Sequence, residues 1–168
     1  SNPFNVTLGP PAKLAFTTTP ANGTGGGLLA PQPALAVQDA GGNTVATSSV
    51  NVTLAIGANP GGGTLSGSTA VAAVNGIAAF TNLSIDKIGT GYTLAATSPG
   101  LTGATSSPFN VTLGPPAKLV FATQPWNGTG GSPLTIQPVV VIQDAGGNTV
   151  TTSNANVTLV IGTNPGGG

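Results

Sequence analysis

Three Asp, three Lys, one Tyr and one Trp are the side chains of this 168-residue sequence that could hold a charge, donate a phenol or offer a large stacking face. His, Cys, Met, Arg and Glu are absent. Ser and Thr are abundant, but a hydroxyl attacks only when a neighbouring base takes its proton, and the chain holds neither His nor a thiol partner. Asp39, Asp86 and Asp144 are dispersed along the chain, whereas paired-carboxylate chemistry needs two acids about 5 to 9 Å apart. Calcium takes about six to eight oxygens with several carboxylates, and each Asp stands alone in its segment. The run Ala40-Gly41-Gly42-Asn43 has the glycines of a phosphate cradle but lacks the lysine and helix start that complete one. The residues therefore predict no catalytic group, no metal and no cofactor; the chain is not expected to be an enzyme.

Only 4% of the residues are charged and the net charge is zero, against about 25% charged in an ordinary soluble domain. No basic stripe exists to meet nucleic acid or an anionic membrane surface. No apolar run approaches the roughly 18 residues of a membrane span, so insertion is not expected. Disordered chains combine low hydrophobicity with high net charge, and a chain 39% hydrophobic with zero net charge has neither. The absence of Cys and Met leaves nothing easily oxidised.

Internal repetition organises the rest. Pro3-Phe4-Asn5-Val6-Thr7-Leu8 returns as Pro108-Phe109-Asn110-Val111-Thr112-Leu113, an offset of 105 that holds without a gap from Ser1/Ser106 to Gly63/Gly168; 18 of the 63 aligned pairs differ. Within the period, apolar residues alternate at Leu14/Phe16, Leu35/Val37, Val52/Leu54/Ile56, Tyr92/Leu94/Ala96 and Phe109/Val111/Leu113, with Thr, Asn or Ala between them. That period of two is the signature of half-buried strands. Turn clusters separate the runs, and Asn75-Gly76 between Val74 and Ile77 predicts a two-residue hairpin whose central positions both need positive φ. Phe80 and Leu83 fall out of phase, predicting a bulge near Thr81-Asn82. About seven strands in about 100 residues predict an all-β chain of tandem immunoglobulin-like sandwiches.

The phase of the repeat sets the expected boundaries. Residues 1–9 read as the last strand of a preceding repeat, 10–114 as a complete repeat, and 115–168 as strands A to C of the next. Core positions Leu119, Phe121, Val140, Ile142, Val157, Leu159 and Ile161 of that last part then lack the strands that would cover them. The expectation is a chain that continues in both directions, with strand exchange between copies as the other way to cover them. The joints Gly9-Pro10-Pro11 and Gly114-Pro115-Pro116 carry consecutive prolines, which fix φ and predict a stiff connection between repeats.

Val37-Gln38-Asp39-Ala40-Gly41-Gly42-Asn43-Thr44-Val45, Val52-Thr53-Leu54, Gly63-Thr64-Leu65, Asn75-Gly76-Ile77-Ala78 and Gly89-Thr90-Gly91-Tyr92-Thr93-Leu94 together resemble bacterial immunoglobulin-like repeats of the invasin/intimin type, and the resemblance covers the whole period. It implies stalk or spacer modules of long cell-surface or secreted proteins, with other copies or adjacent repeats as partners. The residues to watch are structural. Asp39 ends a strand where its carboxylate can accept N–H groups of the Ala40-Gly41-Gly42 turn, with Asn43 in a left-handed conformation; Asp144 and Asn148 are their equivalents one repeat on. Tyr92 stands where a tyrosine corner would bond back to upstream backbone. Lys13 and Asn110, on the first and last strands, are the pair an internal isopeptide bond would use, although Asn110 faces outward and no catalytic acid accompanies it. Trp126 replaces Ala21 of the first copy and is a candidate contact. The expected function is a non-enzymatic, self-associating structural module of an extracellular or cell-surface bacterial protein forming a stalk, filament or matrix. The alternative is an adhesin domain that binds a glycan or surface receptor.

Overall fold

Alternating apolar residues build the first unit strand by strand in the computed structural model, which describes residues 1–164 and Gly166. Strands β1 (Lys13–Thr18), β3 (Ala34–Gln38) and β7 (Ile77–Ala79) form one antiparallel sheet in the order β1-β3-β7. The facing layer is centred on β4 (Asn51–Ile56) and β10 (Leu94–Thr97), which pair antiparallel through Leu94↔Ile56 and Ala96↔Leu54. Strand β6 (Ala70–Ala72) extends this layer beside β4, and β11 (Ala104–Thr105) beside β10. One residue before β10, β9 (Gly89–Tyr92) pairs with β12 (Phe109–Thr112), which in turn runs parallel to β2 (Gly23–Thr24). A short pair, β5 (Leu65–Ser66) with β8 (Ser84–Ile85), closes one side. The protein is all-β and its architecture is an immunoglobulin-like sandwich.

The core is the inward half of each alternation: Leu14, Leu35, Val37, Val52, Leu54, Tyr92, Leu94, Ala96, Phe109 and Val111 are buried in one cluster, joined by Phe80, Leu83 and Ile85. Burying each large member contributes about 1.5–3 kcal/mol relative to leaving it in water. The alternation fails at Ala36, which is buried like its neighbours. Strand β3 lies between β1 and β7, and a methyl group is too short to emerge between two flanking strands.

The Asn75-Gly76 hairpin forms as the dipeptide predicts, with φ of 52° and 74° at the two residues. The expected bulge at Thr81-Asn82 is instead a break: β7 stops at Ala79, the Phe80 N–H donates to the Pro33 carbonyl, and pairing resumes at Ser84 with a different partner. Burying both Phe80 and Leu83 while switching sheets requires the chain to leave the ladder between them.

Beyond the sandwich, β13 (Lys118–Thr123) and β14 (Val139–Gln143) pair in the register of β1 and β3, including the irregularity near residue 122. Residues 156–161, expected as a third strand, form none. Their first-unit counterpart β4 is held by β6 and β10, and among the described residues no strand pairs with 156–161. Leu119, Phe121, Leu159 and Ile161 are accordingly exposed, as are Phe4 and Val6 in the extended segment before Gly9.

Candidate functional site: the joint between units

Strand β3 ends at Gln38, and the chain reverses through Asp39-Ala40-Gly41-Gly42-Asn43. The Asp39 carboxylate organises this turn. Its Oδ1 accepts the Asn43 N–H at 2.8 Å, and both oxygens accept the Asn43 side-chain amide at 3.2 and 3.1 Å. Oδ2 also accepts the Gly9 N–H at 3.1 Å, which ties the peptide entering the unit to the turn. The bonds from the Asn43 side chain and backbone, with that from Gly9, hold the Asp39 carboxyl down from 3.8 to about 2. One expectation is extended here and one corrected. The turn's own Gly41 N–H contributes as expected, but the larger contributions come from Asn43 and Gly9, which flank the turn, and the left-handed residue is Gly42, at φ 90°, not Asn43. Glycine takes that conformation without steric cost, which leaves Asn43 free to clamp the carboxylate.

The second copy repeats this geometry. Asn148 donates its N–H to Asp144 Oδ1 at 2.8 Å and its amide to both oxygens at 3.0 Å, while the Gly114 N–H reaches Oδ2 at 3.1 Å. Burial opposes ionisation of Asp144, but the Asn148 and Gly114 bonds outweigh it and its carboxyl is also held below the usual value. Here the turn is engaged. The Gly146 N–H donates to the Gly25 carbonyl at 3.1 Å, the Lys87 ammonium to the Gly146 carbonyl at 3.2 Å, and the Asn148 amide to the Asp86 carbonyl at 2.7 Å. The Ile88 N–H points to Asn148 Oδ1 at 3.4 Å. The turn of one unit is thus seated on the base of the unit before it, a surface made by Gly25-Gly26 and Asp86-Lys87-Ile88.

Close backbone approach explains the glycines. A Cβ on Gly146 would strike the Asp86 carbonyl and lie 2.8 Å from the Gly25 carbonyl carbon; one on Gly25 would strike the Asn148 amide and lie 2.7 Å from Asp144 Oδ2. Tyr92 supports the base from beneath. It is fully buried, stacks on Phe109 with ring centres 6.2 Å apart, and donates its hydroxyl to the Lys87 carbonyl at 2.9 Å, the upstream bond a tyrosine corner makes.

The charges gather at these faces. Asp144 shapes the seated turn, the Lys87 ammonium bonds across to it, and Lys118 and Lys87 both bring their ammonium groups to Gly147, 3.5 and 3.6 Å from where a side chain there would begin; the Asp86 carboxylate stays within its own unit, accepting the Thr64 N–H at 2.6 Å and lying 3.9 Å from the Lys87 ammonium. The remaining two, Lys13 and Asp39, sit at the equivalent free turn, where Lys13 reaches the Ala40 carbonyl at 3.4 Å. That position removes Lys13 from Asn110, whose Oδ1 instead accepts the Gly91 N–H at 3.0 Å, so the pair does not meet for an isopeptide bond. Pro10, Pro11, Pro115 and Pro116 are exposed; the hydrogen bonds that hold the joint come from Gly114 and the Asp144 turn rather than from the proline pair. Trp126 is 67% exposed. Among the described residues no three acids, His or Cys cluster as a metal site.

Sequence reasoning found Asp39, Asp144, Asn43, Asn148, Gly9, Gly114 and Tyr92 but missed the base. The signal it held was the adjacency of Asp86 and Lys87 in a chain with only four other charges.

No protein-family model matches the chain, and no curated protein matches it. A solved β-glycosidase from Bacteroides vulgatus matches with a TM-score of 0.51 at 14% identity, over 62% of this chain and 15% of the glycosidase. Looser likenesses are a glycosyl hydrolase family 2 member from Bacteroides cellulosilyticus, with a TM-score of 0.49, 14% identity and coverage of 63% and 15%, and a β-glucuronidase from Parabacteroides merdae, with a TM-score of 0.42, 20% identity and coverage of 64% and 13%. At such identity the first likeness is one of fold alone. This chain covers only about a seventh of each glycosidase.

Proposed function

We propose that the chain is a non-enzymatic structural module, a stretch of tandem immunoglobulin-like repeats from a long extracellular or cell-surface bacterial protein that forms a stalk, filament or matrix. The supporting observation is the seated joint: the Asp144-Asn148 turn bonds directly to Gly25, Asp86 and Lys87 of the unit before it. A chain whose consecutive units are bonded to each other in one orientation is suited to transmit length and load. Its remaining surface, rich in Thr, Asn and Ala, can meet other copies without desolvating ions, and low net charge favours association. The resemblance to invasin/intimin repeats points the same way.

Trp126 favours the second reading. It is the one large aromatic side chain exposed in the second unit apart from Phe121, and it could stack on a sugar in an adhesin. Screening the chain against a glycan array separates the two. The structural reading expects no specific binding; binding that disappears in Trp126→Ala would replace it with the adhesin reading.

A further inference from the structure

We propose that the face formed by Gly9, Lys13 and the Asp39–Asn43 turn is a docking surface for the base of another immunoglobulin-like unit of the same kind, one carrying a Gly-Gly pair and an Asp-Lys-Ile rim like those at Gly25-Gly26 and Asp86-Lys87-Ile88. The inference rests on reading the chain as a repeat module and names the partner of each unit's leading face.

The surface is already built in the shape of its engaged copy. Gly9 reaches Asp39 at 3.1 Å as Gly114 reaches Asp144 at 3.1 Å; Asn43 reaches Asp39 Oδ1 at 2.8 Å as Asn148 reaches Asp144 Oδ1 at 2.8 Å. The Asp39 N–H donates to the Asn43 carbonyl at 2.9 Å, again as in the second copy. Residues 9–14 and 37–45 carry this face, and only Val37/Ile142 differs between them and residues 114–119 and 142–150. The free copy differs in exposure: Gly41 and Asn43 are open to solvent, whereas Gly146 and Asn148 are half-buried against the preceding base.

Two further observations identify the occupant. Gly41 has little internal need to be glycine: its φ is not left-handed, and a Cβ there would meet the Asn43 amide at 3.1 Å and Asp39 Oδ1 at 3.3 Å, side-chain atoms of the clamp that need give by only a few tenths of an ångström. At Gly146 the same atom would strike the backbone of a docked unit. The second observation is hydrogen bonding. In the engaged joint the Gly146 N–H, the Gly146 carbonyl and the Asn148 amide meet the Gly25 carbonyl, the Lys87 ammonium and the Asp86 carbonyl of the base. A base of the same kind supplies both the close backbone and these three partners.

The test extends the chain by a copy of residues 10–105 placed ahead of Ser1, which preserves the 105-residue register, and compares amide hydrogen exchange at Gly41 with and without the extension. Gly146 is the internal standard in both. Docking predicts that the extension slows exchange at Gly41 at least tenfold, the change that about 1.4 kcal/mol produces, and moves the Asn43 side-chain amide resonance towards that of Asn148. In the extended chain Gly41→Ala is expected to abolish the slowing, and the unextended variant should retain a cooperative melt close to that of the parent chain, which separates lost docking from a lost fold. An unprotected Gly41 beside a protected Gly146 overturns the proposal and leaves the structural-module reading standing. Loss of protection at both overturns both.

Discussion

Replacing Gly146 by Ala places one methyl group where two backbones meet. The added Cβ would strike the Asp86 carbonyl and sit 2.8 Å from the Gly25 carbonyl carbon, and neither is a side chain that can turn away. The turn must lift off the base, and three hydrogen bonds break with it: Gly146 to Gly25, Lys87 to Gly146 and Asn148 to Asp86. Each contributes about 0.5–1.5 kcal/mol net. Together they amount to about 1.5–4.5 kcal/mol, so the population of open joints should rise between about 10-fold and 1,600-fold. Amide exchange at residue 146, corrected for the change in side chain, reads that ratio directly. The amides of Leu54 and Leu94 inside the sandwich should exchange as before, because residue 146 lies outside it. Gly41→Ala is the matched control, since there the new methyl meets only the Asn43 and Asp39 side chains and should leave exchange at residue 146 unaltered. Undiminished protection at residue 146 in Gly146→Ala would refute the reasoning, for it would mean that the two backbones do not approach as closely as described.

Three other outcomes follow from the same geometry. Because Asp39 is held at about 2 against an ordinary 3.8, the stability it contributes is fully present above about pH 4 and is lost as the pH falls towards 2; thermal melting between pH 5 and 2 should show this decline, and Asn43→Ala, which removes the leading cause of the shift, should flatten it. Tyr92→Phe deletes the hydroxyl bonded to the Lys87 carbonyl in a buried setting, so denaturant unfolding should show a loss of about 1–3 kcal/mol, and an unchanged midpoint would contradict the corner. Intact mass should equal the sequence mass with no loss of ammonia, since Lys13 and Asn110 are each engaged elsewhere.

What the sequence made legible was what local chemistry decides. Asn75-Gly76 specified its own turn because both residues tolerate positive φ, and the alternation at Val52/Leu54/Ile56 specified which face of β4 is inward. Asp39 with Asn43 was legible as a closed turn because a short carboxylate beside glycines has few other roles, although the leading donors proved to be Asn43 and Gly9, with Gly41 of the turn behind them. The expected break in phase at Phe80 and Leu83 was visible, but not its form, since that depends on which strand receives Ser84. Residues 156–161 carry the same apolar pattern as β4 and form no strand, because a strand is made by its partners as much as by its own residues. The base of the joint was hidden for a different reason. Gly25, Asp86 and Gly146 lie far apart in the sequence and meet mainly through backbone carbonyls and N–H groups, which every residue possesses and no composition reveals.

Whether consecutive units are held in a fixed orientation can be read from residual dipolar couplings of the weakly aligned chain, measured separately for amides of the sandwich strands β1 to β12 and of the hairpin β13–β14. A seated joint predicts that both sets fit one alignment tensor of the same magnitude and direction. A tensor for β13–β14 that is markedly smaller, averaged by motion about Gly114-Pro115-Pro116, would contradict the joint and with it the reading of this chain as a stiff structural repeat.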